Sequence, residues 1–121
     1  MALNLALVSG IEAVTNAVLN TTSASLSAAQ TLIAAPGVGK IVKLNSLYVA
    51  NTTGGTLSAF VTLYHSSAAW IIVSGLVVNT LITTIVVTKD APIYLVEAAD
   101  SLLVYGSAIG LTFTASYEIL S

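Results

Sequence analysis

The chain contains no cysteine and no arginine. Without cysteine there is neither a disulfide framework nor a thiolate metal site. Charge is scarce as well. Three lysines and five acids make up 7% of 121 residues, with a net charge of −2, against about 25% charged residues in an ordinary soluble domain. Lys40, Lys43 and Lys89 are scattered, so the sequence gives no electrostatic footprint for nucleic acid. No lysine or arginine precedes Lys40, and the apolar start Met1 to Val8 therefore lacks the positive n-region of a signal peptide.

Hydrophobic residues make up 56% of the chain. A single domain of this length buries one core without staples, and it still exposes on the order of 6,000 Å². So few charged side chains cover little of that area. The remainder must be Ser, Thr, Asn, Ala and apolar groups. Large apolar patches usually mark contact surfaces, so the expectation is that other protein subunits cover much of this one.

The residues favour sheet. Glu, Lys, Arg and Gln are nearly absent, while Val, Ile, Thr and Tyr are plentiful. Leu111, Phe113, Ala115, Tyr117 and Ile119 alternate with Thr112, Thr114, Ser116 and Glu118, the pattern of a sheet packed on one face. Leu57 to Tyr64 alternates with both faces apolar. Ile41 to Ala50 follows the break Pro36-Gly37-Val38-Gly39. Asn51-Thr52-Thr53-Gly54-Gly55 reads as the turn between these two strands, with Gly54 and Gly55 shaping it. Ile71 to Val87 runs 17 residues without charge, near the lower limit for a membrane helix. Its apolar residues are mostly β-branched, however, and Asn79-Thr80 falls mid-run. Two strands, Trp70–Val78 and Leu81–Thr88, are the better reading. Pro92 opens a short strand Ile93–Val96, the turn at Ala98-Ala99-Asp100 leads into Ser101–Ser107, and Ala108-Ile109-Gly110 leads to the last strand.

Residues 1–35 are ambiguous. Leu3, Leu5 and Leu7 alternate like a strand, yet Leu7, Ile11, Val14 and Val18 have helical spacing. Ala24 to Ala35 reads as a further strand. The sum is about eight strands in one all-β domain: an antiparallel β-sandwich of jelly-roll type over 36–121, with an N-terminal arm or first strands over 1–35.

The search for chemistry finds no constellation. His65, the single histidine, stands at a strand end and reads as a turn-proximal, hydrogen-bonded residue. Glu97 and Asp100 flank a turn, but their spacing matches no calcium loop. Asp100 fits a turn-capping role instead. Pro36-Gly37-Val38-Gly39-Lys40 lacks the first glycine and the Ser or Thr of a phosphate loop. Asn20-Thr21-Thr22 and Asn51-Thr52-Thr53 match the glycosylation triplet, which is common by chance in a Thr-rich chain. No catalytic, cofactor-binding or metal residue is assigned, and none is expected. Aromatic side chains carry interface energy disproportionately, so Trp70, with Ile71 and Ile72 beside it, is the strongest interface candidate. Leu3, Leu5 and Leu7 are candidates in the N-terminal segment.

Three stretches carry a resemblance: Val49-Ala50-Asn51-Thr52-Thr53-Gly54-Gly55, Ala91-Pro92-Ile93-Tyr94-Leu95-Val96-Glu97-Ala98-Ala99-Asp100-Ser101-Leu102, and Ser116-Tyr117-Glu118. Together they resemble small virion proteins of tailed bacteriophages, including cyanobacterial phages, over about Lys40 to Ser121. The acidic turn of such proteins often carries a glycine before the Asp, where this chain has Ala98-Ala99. The resemblance implies a head decoration (cement) protein. Such a protein often forms a trimer, sits on the capsid surface and binds the major capsid protein. Stabilising the assembled shell by mass action would be its function. A neck or tail subunit is the alternative within the virion. A carbohydrate-binding sandwich is the alternative of another class, and a membrane or surface-layer β protein is a further one.

Overall fold

The computed structural model describes residues 11–20 by their backbone, and residues 29–88, 92–96 and 98–121 in full. Among the described residues there are nine strands and no helix. They are β1 (Ile11–Asn20), β2 (Gln30–Ile33), β3 (Ile41–Asn51), β4 (Leu57–His65), β5 (Ala68–Val78), β6 (Thr83–Val87), β7 (Ile93–Leu95), β8 (Ser101–Gly106) and β9 (Leu111–Leu120).

The strands form two antiparallel sheets. One has the order β1-β9-β3-β6, with β7 also on β3; the other has the order β2-β8-β4-β5. The pairing is nested. β4 pairs with β5, β3 with β6 and β7, β2 with β8, and β1 with β9. One long antiparallel ribbon has thus been rolled up, so that β9 also meets β3 and β8 also meets β4. That is the jelly-roll plan. The segment Ile11–Asn20 is therefore an integral strand of a sheet and not a helix. The apolar run after Trp70 divides as the Asn79-Thr80 break suggests. Its halves join different sheets, and Leu81 belongs to the turn instead of to β6.

The core lies between the sheets. Leu111, Phe113 and Ala115 of β9 point into it, as their alternation predicts. β3 adds Val42 and Leu44, then Leu47 and Val49. The step from 44 to 47 breaks period two. Register shifts between Leu44 and Ser46, so a bulge at Asn45 returns the apolar residues to the inner face. Asn45 itself donates from Nδ2 to Glu118 Oε1 at 2.9 Å. Ala59, Val61, Leu102 and Val104 complete the opposite wall. Each fully buried Val, Leu, Ile or Phe contributes about 1.5–3 kcal/mol relative to exposure.

The rolled ribbon has two distinct ends. At one lie the 34–40 loop, the 66–67 turn and the 98–100 turn; at the other lie the 52–56, 79–82 and 107–110 turns. The described charged residues all belong to the first half. Lys40 and Lys43 open β3, Glu118 lies opposite Lys43 near the end of β9, Glu12 sits beside the Ala13–Ile119 pair, and Asp100 precedes β8. Leu44 to Thr88 and Ser101 to Tyr117 hold no Asp, Glu, Lys or Arg, and these two stretches supply all three of the turns at the second end.

Candidate protein-interaction surface

The charge-free end is held rigid by Asn51. The residue is 2% exposed, and both halves of its side-chain amide are in use. Nδ2 donates to Gly55 O at 2.7 Å and to Val78 O at 2.9 Å. Oδ1 accepts from Thr53 N at 2.9 Å and from Thr53 Oγ1 at 2.7 Å. The backbone N–H of Asn51 donates to Ile82 O at 3.0 Å, and that of Thr52 to Gly110 O at 3.2 Å. Thr80 Oγ1 also donates to Thr53 O. The buried amide therefore ties its own turn to the end of β5, while the backbone N–H groups of Asn51 and Thr52 tie in the 79–82 and 107–110 turns. A buried amide so satisfied specifies a single arrangement.

Gly54 and Gly55 lie in the first of these turns. Neither has φ in the left-handed region, and a Cβ on either would meet nothing within 4 Å. The turn is shaped by the Asn51 and Thr53 side chains. The glycine this end requires is Gly110. Its φ is +128°, and a Cβ there would stand 2.1 Å from Thr53 Cγ2.

On this framework the turns present apolar tips. Leu81 is 76% exposed and Ile109 67%. Ile82, Val77, Ile85 and Tyr48 are exposed around them. Leu81 also has φ of +57°, a conformation costing a non-glycine residue about 1 kcal/mol or more.

A second apolar region lies at the start of β5. Among the described strands this one is the edge of its sheet, pairing with β4 on one side. Trp70 is 60% exposed, and Ile71 and Ile72 are exposed beside it. Trp70 lies opposite Leu63 and Ile71 opposite Thr62, so their side chains leave opposite faces of the sheet. The sequence candidates Trp70, Ile71 and Ile72 thus share one exposed edge; Leu3, Leu5 and Leu7 lie outside the described residues.

The hairpin that brings β5 to this edge has an unusual turn. Ser66 and Ser67 have φ of 52° and 60°, as a two-residue hairpin turn of the I′ type requires, though Asn-Gly is the usual sequence for it. A neighbouring contact anchors it. His65 Nδ1 lies 2.7 Å from Asp100 Oδ1, with the aspartate side chain 4% exposed and the histidine side chain 40%. Asp100 thus joins two turns through His65, beyond the local capping its position suggested. Among the described residues no group of three or more His, Asp or Glu is placed to hold a metal ion.

The outer face of the β5 sheet carries Phe60 against Tyr105, with ring centroids 4.6 Å apart. Thr62, between Leu103 and Ile71 on the neighbouring strands, is fully buried, and its hydroxyl has no hydrogen-bond partner. Sequence reasoning missed Asn51, Gly110 and Leu81. The charge-free stretch from Leu44 to Thr88 was the signal that could have pointed to this end. No protein-family model matches the chain, and no curated protein matches it either.

Proposed function

We propose that the protein is a virion structural protein, a head decoration subunit that binds an assembled capsid shell and stabilises it. The observation carrying this reading is the separation of charge from apolar surface. Among the described residues, one end of the sandwich has no charged residue and presents Leu81, Ile82 and Ile109 on a fixed framework. Exposed apolar groups on rigid turns are suited to a protein partner. Rigidity matters because ordering entropy is then already lost before binding. The jelly-roll plan, which also serves viral capsid domains, and the virion resemblance over Lys40 to Ser121 support the same reading. The function is a binding free energy repeated over many sites, with the major capsid protein as partner and the capsid surface as location, and it needs no reaction.

The test is cosedimentation of the purified chain with assembled shells and, separately, with dissociated shell subunits. Binding to shells alone is expected, and Leu81→Asp with Ile109→Asp should abolish it. A soluble monomer that binds neither would overturn the reading. Labelling on intact particles places the subunit: many copies over the head fit decoration, whereas a few at one vertex identify a neck or tail subunit.

A further inference from the structure

We propose that the β5 edge pairs with the β5 edge of a second copy, antiparallel and centred on Trp70, joining two sheets into one. This rests on the edge itself and is independent of the shell reading.

An open edge presents a row of backbone N–H and C=O groups, so its partner must be another extended strand. Natural edges are blunted by charge, proline, shortness or bulges. β5 has 11 residues, with no charge and no proline. Its irregularities, at Ile72 and around Gly75, leave Ala68 to Ile71 as the regular stretch that pairs with β4, and the proposed contact is confined to that stretch. The other edges of this chain are poorer partners. β2 has four residues, β6 five and β7 three, and β1 carries Glu12.

The sequence of the edge selects its own copy. About Trp70 it reads Ala68-Ala69-Trp70-Ile71-Ile72. Antiparallel pairing centred on Trp70 sets Ala69 of each copy against Ile71 of the other, within the regular stretch before the bulge at Ile72. Each small side chain meets a large one, and the two Trp70 side chains meet on one face. Size complementarity of this kind is what cross-strand packing rewards. With no charge in the segment, self-pairing puts no like charges opposite each other. Residues 69–72 are all exposed, so the pairing needs no rearrangement of the subunit. The symmetry is two-fold, so this contact differs from the three-fold one that the virion resemblance implies.

Three paired residues make a small interface, at the weak and reversible end of protein association. A concentration-dependent monomer–dimer equilibrium is therefore expected in sedimentation equilibrium. Trp70 is the only tryptophan, so its fluorescence reports the contact without any substitution. Emission should shift to the blue, and acrylamide quenching should fall, as the dimer forms. Ile71→Lys should give a folded monomer by circular dichroism. Val77→Lys, exposed on the same strand but beyond the paired segment, should dimerise like the wild type. Three results would each overturn the proposal: a monomer at every soluble concentration, a dimer whose Trp70 stays fully quenchable, or a dimer that survives Ile71→Lys.

Discussion

His65 and Asp100 are 35 residues apart in sequence, yet Nδ1 and Oδ1 stand 2.7 Å from each other. The contact joins the β4–β5 hairpin to the turn before β8. It places a buried carboxylate against a half-exposed ring. Replacing His65 by alanine withdraws this partner from the buried oxygen, which costs about 1–3 kcal/mol. Chemical denaturation should show that loss with an unchanged slope. Amide exchange should report faster opening of the β4–β5 hairpin than of β9.

The close approach of Gly110 to Thr53 gives a second expectation. Alanine at 110 combines a left-handed φ with a clash on Thr53 Cγ2. A loss of about 2–4 kcal/mol is expected for Gly110→Ala. Thr53→Ser removes the clashing methyl while keeping the hydroxyl that donates to Asn51. The double variant should therefore be more stable than Gly110→Ala alone, with the backbone penalty remaining. A double-mutant cycle by thermal unfolding measures that coupling.

Ser66-Ser67 invites a change in the opposite direction. Both residues hold positive φ, which asparagine and glycine adopt at lower cost. Ser66→Asn with Ser67→Gly should raise stability by about 0.5–1 kcal/mol per site. A higher denaturation midpoint at constant slope is the expected readout.

Thr62 also carries an avoidable penalty. Its buried hydroxyl lacks a partner, and an unsatisfied polar group costs about 1–3 kcal/mol. Valine has nearly the same shape without the hydroxyl, so Thr62→Val should be stabilising by about 1 kcal/mol. A lower melting temperature would show that the hydroxyl is satisfied in solution.

The sequence made the strands readable where one physical signal acted alone. Alternation from Leu111 to Ile119 marks β9 because nothing at helical spacing competes there. Asn79-Thr80 divides β5 from β6 because polar side chains interrupt a β-branched run. In β1, Ile11, Val14 and Val18 also fit a helix, and only pairing with β9 decides the matter. The β4–β5 turn gave no local sign, since Ser-Ser lacks the residues that announce positive φ. Partners across the fold were invisible as well. Nothing near Asn51 in sequence indicates that Val78 supplies its acceptor, or that Gly110 must lack a Cβ to admit Thr53. Trp70 was legible as an interface candidate by residue type, but its exposure and its place on an edge among the described strands depend on strand order.

The nested pairing has a kinetic consequence. Of the paired strands, only β4 and β5 are joined by a two-residue turn; β3 must find β6 and β7, β2 must find β8, and β1 must find β9 across progressively longer intervals. Closing such loops costs entropy before the contacts repay it, so an all-β chain of this topology folds over milliseconds to seconds. The β4–β5 hairpin is the one element able to form early. It is also the element whose free edge is neutral and apolar. During synthesis at high concentration, that edge is available to another nascent chain before either sandwich has closed. The rate of rolling up therefore sets how long that edge stays open to premature strand pairing before the sandwich closes.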